Sequence, residues 1–144
     1  LSYIDEKSEK QRPVVIHRAI SGSLDRFLGI LIEHFAGSFP LWLAPVQAAI
    51  VPVAEVHLDS AEKLKNQLEK CGLRVCIDRS SEKLNYKIRK AQKSRVPYMV
   101  VIGDQEIEKN DVNVRVHGGK SSEAMDVERF KNMLLEKIAK RELG

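Results

Sequence analysis

The sequence predicts an α/β fold in three layers, α/β/α, around a mixed, mostly parallel five-stranded sheet. Three observations predict it. Apolar runs of strand length alternate with stripes of helical period between Val46 and Ile102, and a two-residue alternation comes next at Val112, Val114 and Val116. The last stretch, with Val127, Phe130, Met133, Leu134 and Ile138 apolar, returns to the helical period. Alternating strand and helix units make parallel neighbours and put helices on both faces, so the first three strands are expected to be parallel.

Leu1–Gln11 turns polar after four residues and reads as a hairpin tip or a frayed end. Val14, Val15 and Ile16 form a short strand after Pro13, whose missing N–H is no loss at a strand start. Ser21, Gly22 and Ser23 break that run. From Leu24 the residues Phe27, Leu28, Leu31, Ile32 and Phe35 recur as one helical stripe, with Ser23 placed as N-cap. Ser38, Phe39, Pro40 and Pro45 stop the helix and stiffen the chain as it leaves. Residues 1–41 therefore read as a strand–helix unit with no sheet of its own, 42–45 as a short stiff linker, and 46–144 as a separate domain. An unpartnered strand and an apolar helix face are expected to pack onto the next domain or to self-associate, and residues 12–39 could pair two chains.

Within the second domain, Val46–Val56 suits a strand covered on both faces. Asp59 or Ser60 caps a helix through Lys70, stopped by Gly72. Leu73–Ile77 is the second strand. A basic helix runs from about Glu82 to Ser94, with Leu84, Ile88 and Ala91 inward and the lysines outward. Tyr98–Ile102 is the third strand. Gln105–Glu108 and Val112–Val116 read as the two arms of a β-hairpin, with Asn113 and Arg115 on the face opposite the valines. Asp126 is the expected cap of the final helix.

Composition narrows the function. The chain has 144 residues, 43% hydrophobic and 31% charged, enough to bury a sizeable core. No apolar run reaches membrane-spanning length, and no targeting segment is visible, which points to the cytoplasm. Cys71 and Cys76 flank Gly72 without a second Cys or His cluster, and read as reduced, partly buried thiols. Phosphate fingerprints of the GxGxxG or GxxxxGK[ST] kind are absent, which speaks against a dinucleotide or P-loop role. No Ser/His/Asp or Cys/His grouping stands out, and His57 and His117 read as structural or solvent-facing. The net charge is only +4, but from Arg74 to Tyr98 eight basic residues face two acidic ones, a local excess of +6. Such a window attracts a polyanion through a salt-sensitive term, although a solvated helix face would look the same.

Two stretches resemble known families. IHRAISGSLDRFLGILIEHFAG followed by FPLWLAPVQ resembles the third signature motif of class II aminoacyl-tRNA synthetases, with wording similar to the threonyl-tRNA synthetases. By that resemblance residues 1–41 are the tail of a catalytic domain, Arg26 lies against ATP in the intact parent, and His17 is one of three protein ligands of its zinc. Asp25 stands where glutamate is more usual, and keeps the carboxylate. The chain offers no companion ligands and lacks the first two motifs, so zinc and ATP–magnesium are expected of the parent and none of the fragment. Read by residue type alone, His17 is a satisfied histidine and Arg26 a solvated one.

Residues 46–144 resemble the anticodon-binding domain shared by threonyl-, prolyl-, glycyl- and histidyl-tRNA synthetases, with DRSSEKLNYKIRKAQKSRVPYMVVIGDQEIEKNDVNVRV closest to the threonyl form. The resemblance implies that the chain binds the anticodon stem-loop of a threonine tRNA, read at its second and third positions. It assigns base contacts to Arg95, Glu106, Arg115 and Ser81, the last standing where asparagine is frequent. Asn85 replaces a frequent glycine. Lys83, Lys87 and Lys90 suit phosphates, because an ammonium group carries charge but little sequence information. Without the resemblance, Glu106 and Arg115 are a plausible cross-strand ion pair. The parent would join threonine to its tRNA with ATP, as a homodimer formed through its catalytic domain, and the fragment alone would be inactive. Two other readings stay open: a non-catalytic interaction module or homodimerising adaptor of the same fold, and the anticodon domain of a prolyl or glycyl synthetase.

Overall fold

The computed structural model describes residues 1–119 and 121–143, in two units, Leu1–Leu31 and Ile32 onward. The first unit opens with a hairpin of β1 (Tyr3–Ile4) and β2 (Lys10–Gln11), paired antiparallel. Asp5 makes the turn: its Oδ1 accepts from the N–H groups of Lys7 and Glu9, each at 2.9 Å. The strand expected at Val14–Ile16 is not formed. Residues 12–19 have no regular structure, and Val14 is 89% exposed. A strand exists by exchanging hydrogen bonds with a neighbour, and the hairpin ends before this run begins.

Helix α1 (Leu24–His34) forms as its period predicts, and none of its residues is buried. Ser23 starts it chiefly through its carbonyl, which accepts from Phe27 N–H at 2.9 Å, while its hydroxyl lies 3.5 Å from Arg26 N. The unit boundary falls inside this helix.

The second unit is built on β3 (Ala48–Pro52), whose five residues are all buried. The chain then passes through a single 3₁₀ turn, Glu55–His57, into α2 (Leu58–Lys70). It returns as β4 (Val75–Ile77), crosses through α3 (Leu84–Lys93), and enters β5 (Tyr98–Ile102). Helix α4 (Asp104–Lys109), β6 (Asp111–Val116), β7 (Ser122–Asp126) and α5 (Val127–Ala139) complete it. The sheet order is β4-β3-β5-β6-β7.

The three-layer, mixed five-stranded α/β fold is as expected, with two corrections. Gln105–Glu108 is helical. Asp104 to Lys109 are mostly helix formers, and Glu106 caps them by accepting from Gly103 N–H at 2.9 Å. The fifth strand is instead Ser122–Asp126, which pairs antiparallel with β6. Its polar sequence SEAMD carries no strand signal, and only Met125 is buried. The pairings are therefore evenly divided: β3 is parallel to both β4 and β5, whereas β5–β6 and β6–β7 are antiparallel.

Alternation along the strands sorts two cores. Ala48, Ile50, Tyr98, Val100, Val112 and Val114 pack beneath α2 and α5, where Phe130 and Leu134 are fully buried. Ala49, Val51, Met99 and Val101 face the other way, under Ile88 and Ala91 of α3. Asp126 caps α5 as expected, accepting from Glu128 N–H at 2.8 Å.

Residues 42–45 are docked. The buried Gln47 amide donates to Leu41 O and accepts from Arg74 N–H, both at 2.9 Å. The Arg74 guanidinium donates to Ala44 O and Trp42 O at 2.9 and 3.0 Å. Cys71 and Cys76 are free thiols on exposed residues, one just past the end of α2 and the other on the edge strand, where partial burial still pushes the Cys76 thiol pKa up. No helix among the described residues is long and apolar enough to cross a membrane.

The exposed apolar side chains of the first unit have a measurable consequence. The chain is expected to self-associate at high concentration in sedimentation velocity, and Val15→Asp combined with Leu28→Asp should abolish this. Association that survives both substitutions would place the contact elsewhere.

Candidate nucleic-acid interface

The basic window predicted from the sequence is thinned by the fold. Arg74 holds the 42–45 segment, Arg79 pairs with Glu62, and Lys90 reaches Asp78 at 3.2 Å. Lys87 is corrected outright. It is 4% exposed, and its ammonium donates to Pro52 O at 3.2 Å, so it faces inward while the other lysines of α3 face solvent. The cause is the helical period: Lys87 falls next to Ile88 on the flank that packs over the end of β3. Lys83, Arg89 and Lys93 remain as exposed cations with no ion-pair partner among the described residues, and they supply the charge available to a phosphate backbone.

Ser81 lies exposed in the loop between β4 and α3 and borders a cavity of 220 Å³ at the ends of β3 and β4. The loop is ordered by Asp78, whose Oδ1 accepts from Ser80 N–H at 2.9 Å and from the Ser80 hydroxyl at 2.6 Å. Partial burial works to raise the Asp78 pKa. The Ser80 hydroxyl and N–H and the Lys90 ammonium outweigh it, and hold the carboxyl below its ordinary 3.8.

Arg95 closes α3 in the left-handed region, with φ 54°, where glycine is the usual residue. Val96 N–H reaches back to Ala91 O at 3.3 Å and Arg95 N–H to Gln92 O at 3.0 Å. Ala36 and Arg141 adopt the same conformation after α1 and α5, so the backbone alone does not mark function. The guanidinium does more. It leaves the turn exposed, donates to Ser38 Oγ at 3.1 Å, and borders a cavity of 240 Å³ walled by Phe39, Pro40 and Pro97.

Arg115 lies on β6 opposite Met99 of β5 and Ser122 of β7, so it shares the face covered by α3 further along the sheet. Neither β6 nor β7 contributes a side chain to the apolar core under α3. Arg115 is half-buried, and its Nε has no hydrogen-bond partner among the described residues. Glu106 sits beyond the other end of β5, one carboxylate oxygen committed to capping α4. The cross-strand ion pair between Glu106 and Arg115 does not exist, since one residue is helical and nothing links them among the described ion pairs.

Arg95 and Arg115 thus lie at one end of β5, and Ser81 and Glu106 at the opposite end. Five residues of strand separate the two ends by about 17 Å. They do not converge on one pocket. Arg95 borders the cavity lined by Tyr98 and Lys137, Glu106 one lined by Leu64 and Val127, and Arg115 stands on the opposite face of the sheet, level with Met99. Asn113 lies two residues before Arg115 on the same face, as the alternation of β6 predicts.

His17 and Arg26 are exposed in the first unit. Among the described residues no three His, Cys, Asp or Glu side chains are placed to hold a metal ion. His17 alone supplies one of the three protein ligands that a catalytic zinc site uses.

Comparison with known proteins agrees with the fold. Residues 47–137 match the family described as Anticodon binding domain. The chain is 50% identical to Threonine--tRNA ligase 2 of Bacillus subtilis over 141 residues, covering 98% of this chain and 22% of that protein. It is 47% identical to Threonine--tRNA ligase of Thermotoga maritima over 143 residues, with 99% and 22% covered. The structure of the RNA binding domain of threonyl-tRNA synthetase from Cryptosporidium parvum Iowa II superposes with a TM-score of 0.76 at 31% identity, covering 94% of this chain and 34% of that one. The chain thus spans about a fifth of the length of the curated relatives it matches.

Two outcomes test the geometry. Arg95→Gly suits the left-handed turn, so stability should stay within about 1 kcal/mol of the native chain while affinity for an RNA loop falls about tenfold or more; unchanged affinity would reduce Arg95 to a turn residue. For Asp78 the folded pKa is depressed, so its contribution is present above the unfolded value of 3.8 and is lost as pH falls through the lower folded value. Asp78→Asn should therefore flatten the acid limb of a stability–pH curve, and an unaltered limb would contradict the assignment.

Proposed function

The chain belongs to the anticodon-binding domain family, and on that premise we propose that it is the tRNA-reading part of a threonine–tRNA ligase. The observation that carries this is the likeness in sequence and in fold over nearly the whole chain. Arg115 on the β6–β7 face and Arg95 at the same end of β5 supply the chemistry. Unstacked loop bases present edges to guanidinium and amide groups, and exposed cations on α3 take the backbone. Arg95, Arg115, Glu106 and Ser81 are proposed base contacts, and Lys83, with Lys90 once it leaves Asp78, phosphate contacts. Lys87 is withdrawn from that group by its burial.

The longer protein would attach threonine to its tRNA with ATP, and zinc, ATP–magnesium and the dimer contact would belong to its catalytic part. Nothing in this chain performs that chemistry, and separation from the parent lowers affinity by removing effective concentration. A second reading, self-association through residues 12–39, is favoured by the exposure of Val14, Val15 and Ile16.

The test is binding of two labelled stem-loops at several salt concentrations, one with a threonine anticodon and one with its central guanine replaced. A preference that survives added salt is the expected result. Equal affinities that fade together with salt would mean that only the charge of α3 is engaged, and the anticodon reading would fall.

A further inference from the structure

His57 is 4% exposed and is bonded at both ring nitrogens. Nδ1 accepts from Ala54 N–H at 3.1 Å, so the neutral ring carries its proton on Nε2, which donates to Asp104 Oδ1 at 3.0 Å. The two residues are distant in the sequence. His57 closes the 3₁₀ turn that follows β3, and Asp104 is the first residue of α4, just after β5. The Asp104 side chain is 89% exposed, so the pair joins a buried ring to a carboxylate in water.

The bond stands at a particular place in the sheet. β3 and β5 are adjacent and parallel, and their outgoing connections part there, the first leading to β4 on one side and the second to β6 on the other. In open α/β sheets ligands bind in the crevice at such a point, at the carboxyl ends of the strands. Other contacts close the same seam. Val53 N–H donates to Ile102 O at 2.9 Å, and a Cβ on Gly103 would stand 3.3 Å from Val53 Cγ2 and 3.2 Å from Glu106 Oε2. Helix α4 has six residues and none is buried, so its own packing does little to orient it. Its first turn is fixed by the seam to β3, and the His57–Asp104 bond is the side-chain part of that seam. Two residues on, Glu106 commits Oε2 to the Gly103 cap, which leaves Oε1 for a ligand N–H.

We infer that His57 and Asp104 are positioning residues: their hydrogen bond holds the first turn of α4 against the turn after β3, and so aims the Glu106 carboxylate at an N–H of a base in the RNA loop. This rests on the RNA-loop reading above, and within it on Glu106, and adds how that carboxylate is held. Neither His57 nor Asp104 touches the RNA. An imidazole suits the task because it is rigid and bonds at both ends, tying a backbone N–H of one turn to the carboxylate of the other.

The experiment measures the affinity of the whole chain for a labelled stem-loop with a threonine anticodon, with thermal unfolding of each variant as the check on folding. Asp104→Ala should weaken binding about tenfold, against the electrostatic trend, because removal of a negative charge by itself favours a polyanion. Asp104→Asn, whose amide oxygen still accepts from His57 Nε2–H, should keep native affinity or exceed it. His57→Asn keeps an acceptor for Ala54 N–H but is too short for Asp104, and should reproduce the loss. Glu106→Gln keeps one oxygen for the Gly103 cap and turns an amide N–H toward the base, so it should weaken binding by itself. On that background Asp104→Ala should have no further effect. Asp104→Ala binding at native strength overturns the inference. So does an equal loss in Asp104→Asn, which would assign the effect to charge rather than to the hydrogen bond. An undiminished loss on the Glu106→Gln background overturns it as well, since Asp104 would then act through another group. Glu106→Gln binding at native strength removes Glu106 from the base contacts and the inference with it, while the loop reading stands on the arginines. A native chain that does not bind the loop overturns both.

Discussion

The second unit depends on a difference in how its strands are covered. β3 and β5 are buried on both faces, and their alternating side chains divide cleanly between the α2–α5 core and the α3 core. β6 and β7 bury apolar side chains on one face only. Val112 and Val114 seal that face, and on the other Asn113 and Arg115 are half-buried while Ser122 and Ala124 are exposed. The positions left open are filled by Asn113, Arg115, Ser122 and Ala124, polar or small in every case. A sheet stable through its first three strands can leave such a surface outside its apolar cores, because the burial that stabilises it is supplied elsewhere.

The same division explains why the cations are arranged as they are. α3 spends its apolar stripe on the sheet and even draws Lys87 inward, which leaves Lys83, Arg89 and Lys93 around its exposed side. The turn that ends α3 releases Arg95 toward the end of β5 where Arg115 lies. The Asp78 turn and the Glu106 cap fix the loops at the carboxyl ends of β4 and β5, each through hydrogen bonds within its own loop.

Much of this is legible in the sequence. The strand at Tyr98–Ile102, the helical stripes of α2, α3 and α5, and the Asp126 cap all come from periodicity and capping chemistry, which act locally. The departures have one physical cause in common, which is dependence on neighbours. Val14–Ile16 has the composition of a strand but no partner to pair with. Ser122–Asp126 has the composition of a loop, yet forms a strand because β6 offers it an edge. Gln105–Glu108 reads as a strand because four residues cannot display a period, and the Gly103–Glu106 cap decides for helix. Resemblance singles out Arg95 and Arg115, which stand at the same end of β5.

The central claim is that the β6–β7 face that carries Arg115, with Arg95 at the same end of β5, receives the RNA. Backbone and side-chain amide chemical-shift mapping during titration with a threonine anticodon stem-loop tests it directly. The account requires the largest shifts at Asn113, Arg115, Ser122 and Arg95, with smaller ones along the exposed side of α3. Shifts confined to α3, or centred on α2 and α5 across the sheet, would contradict it.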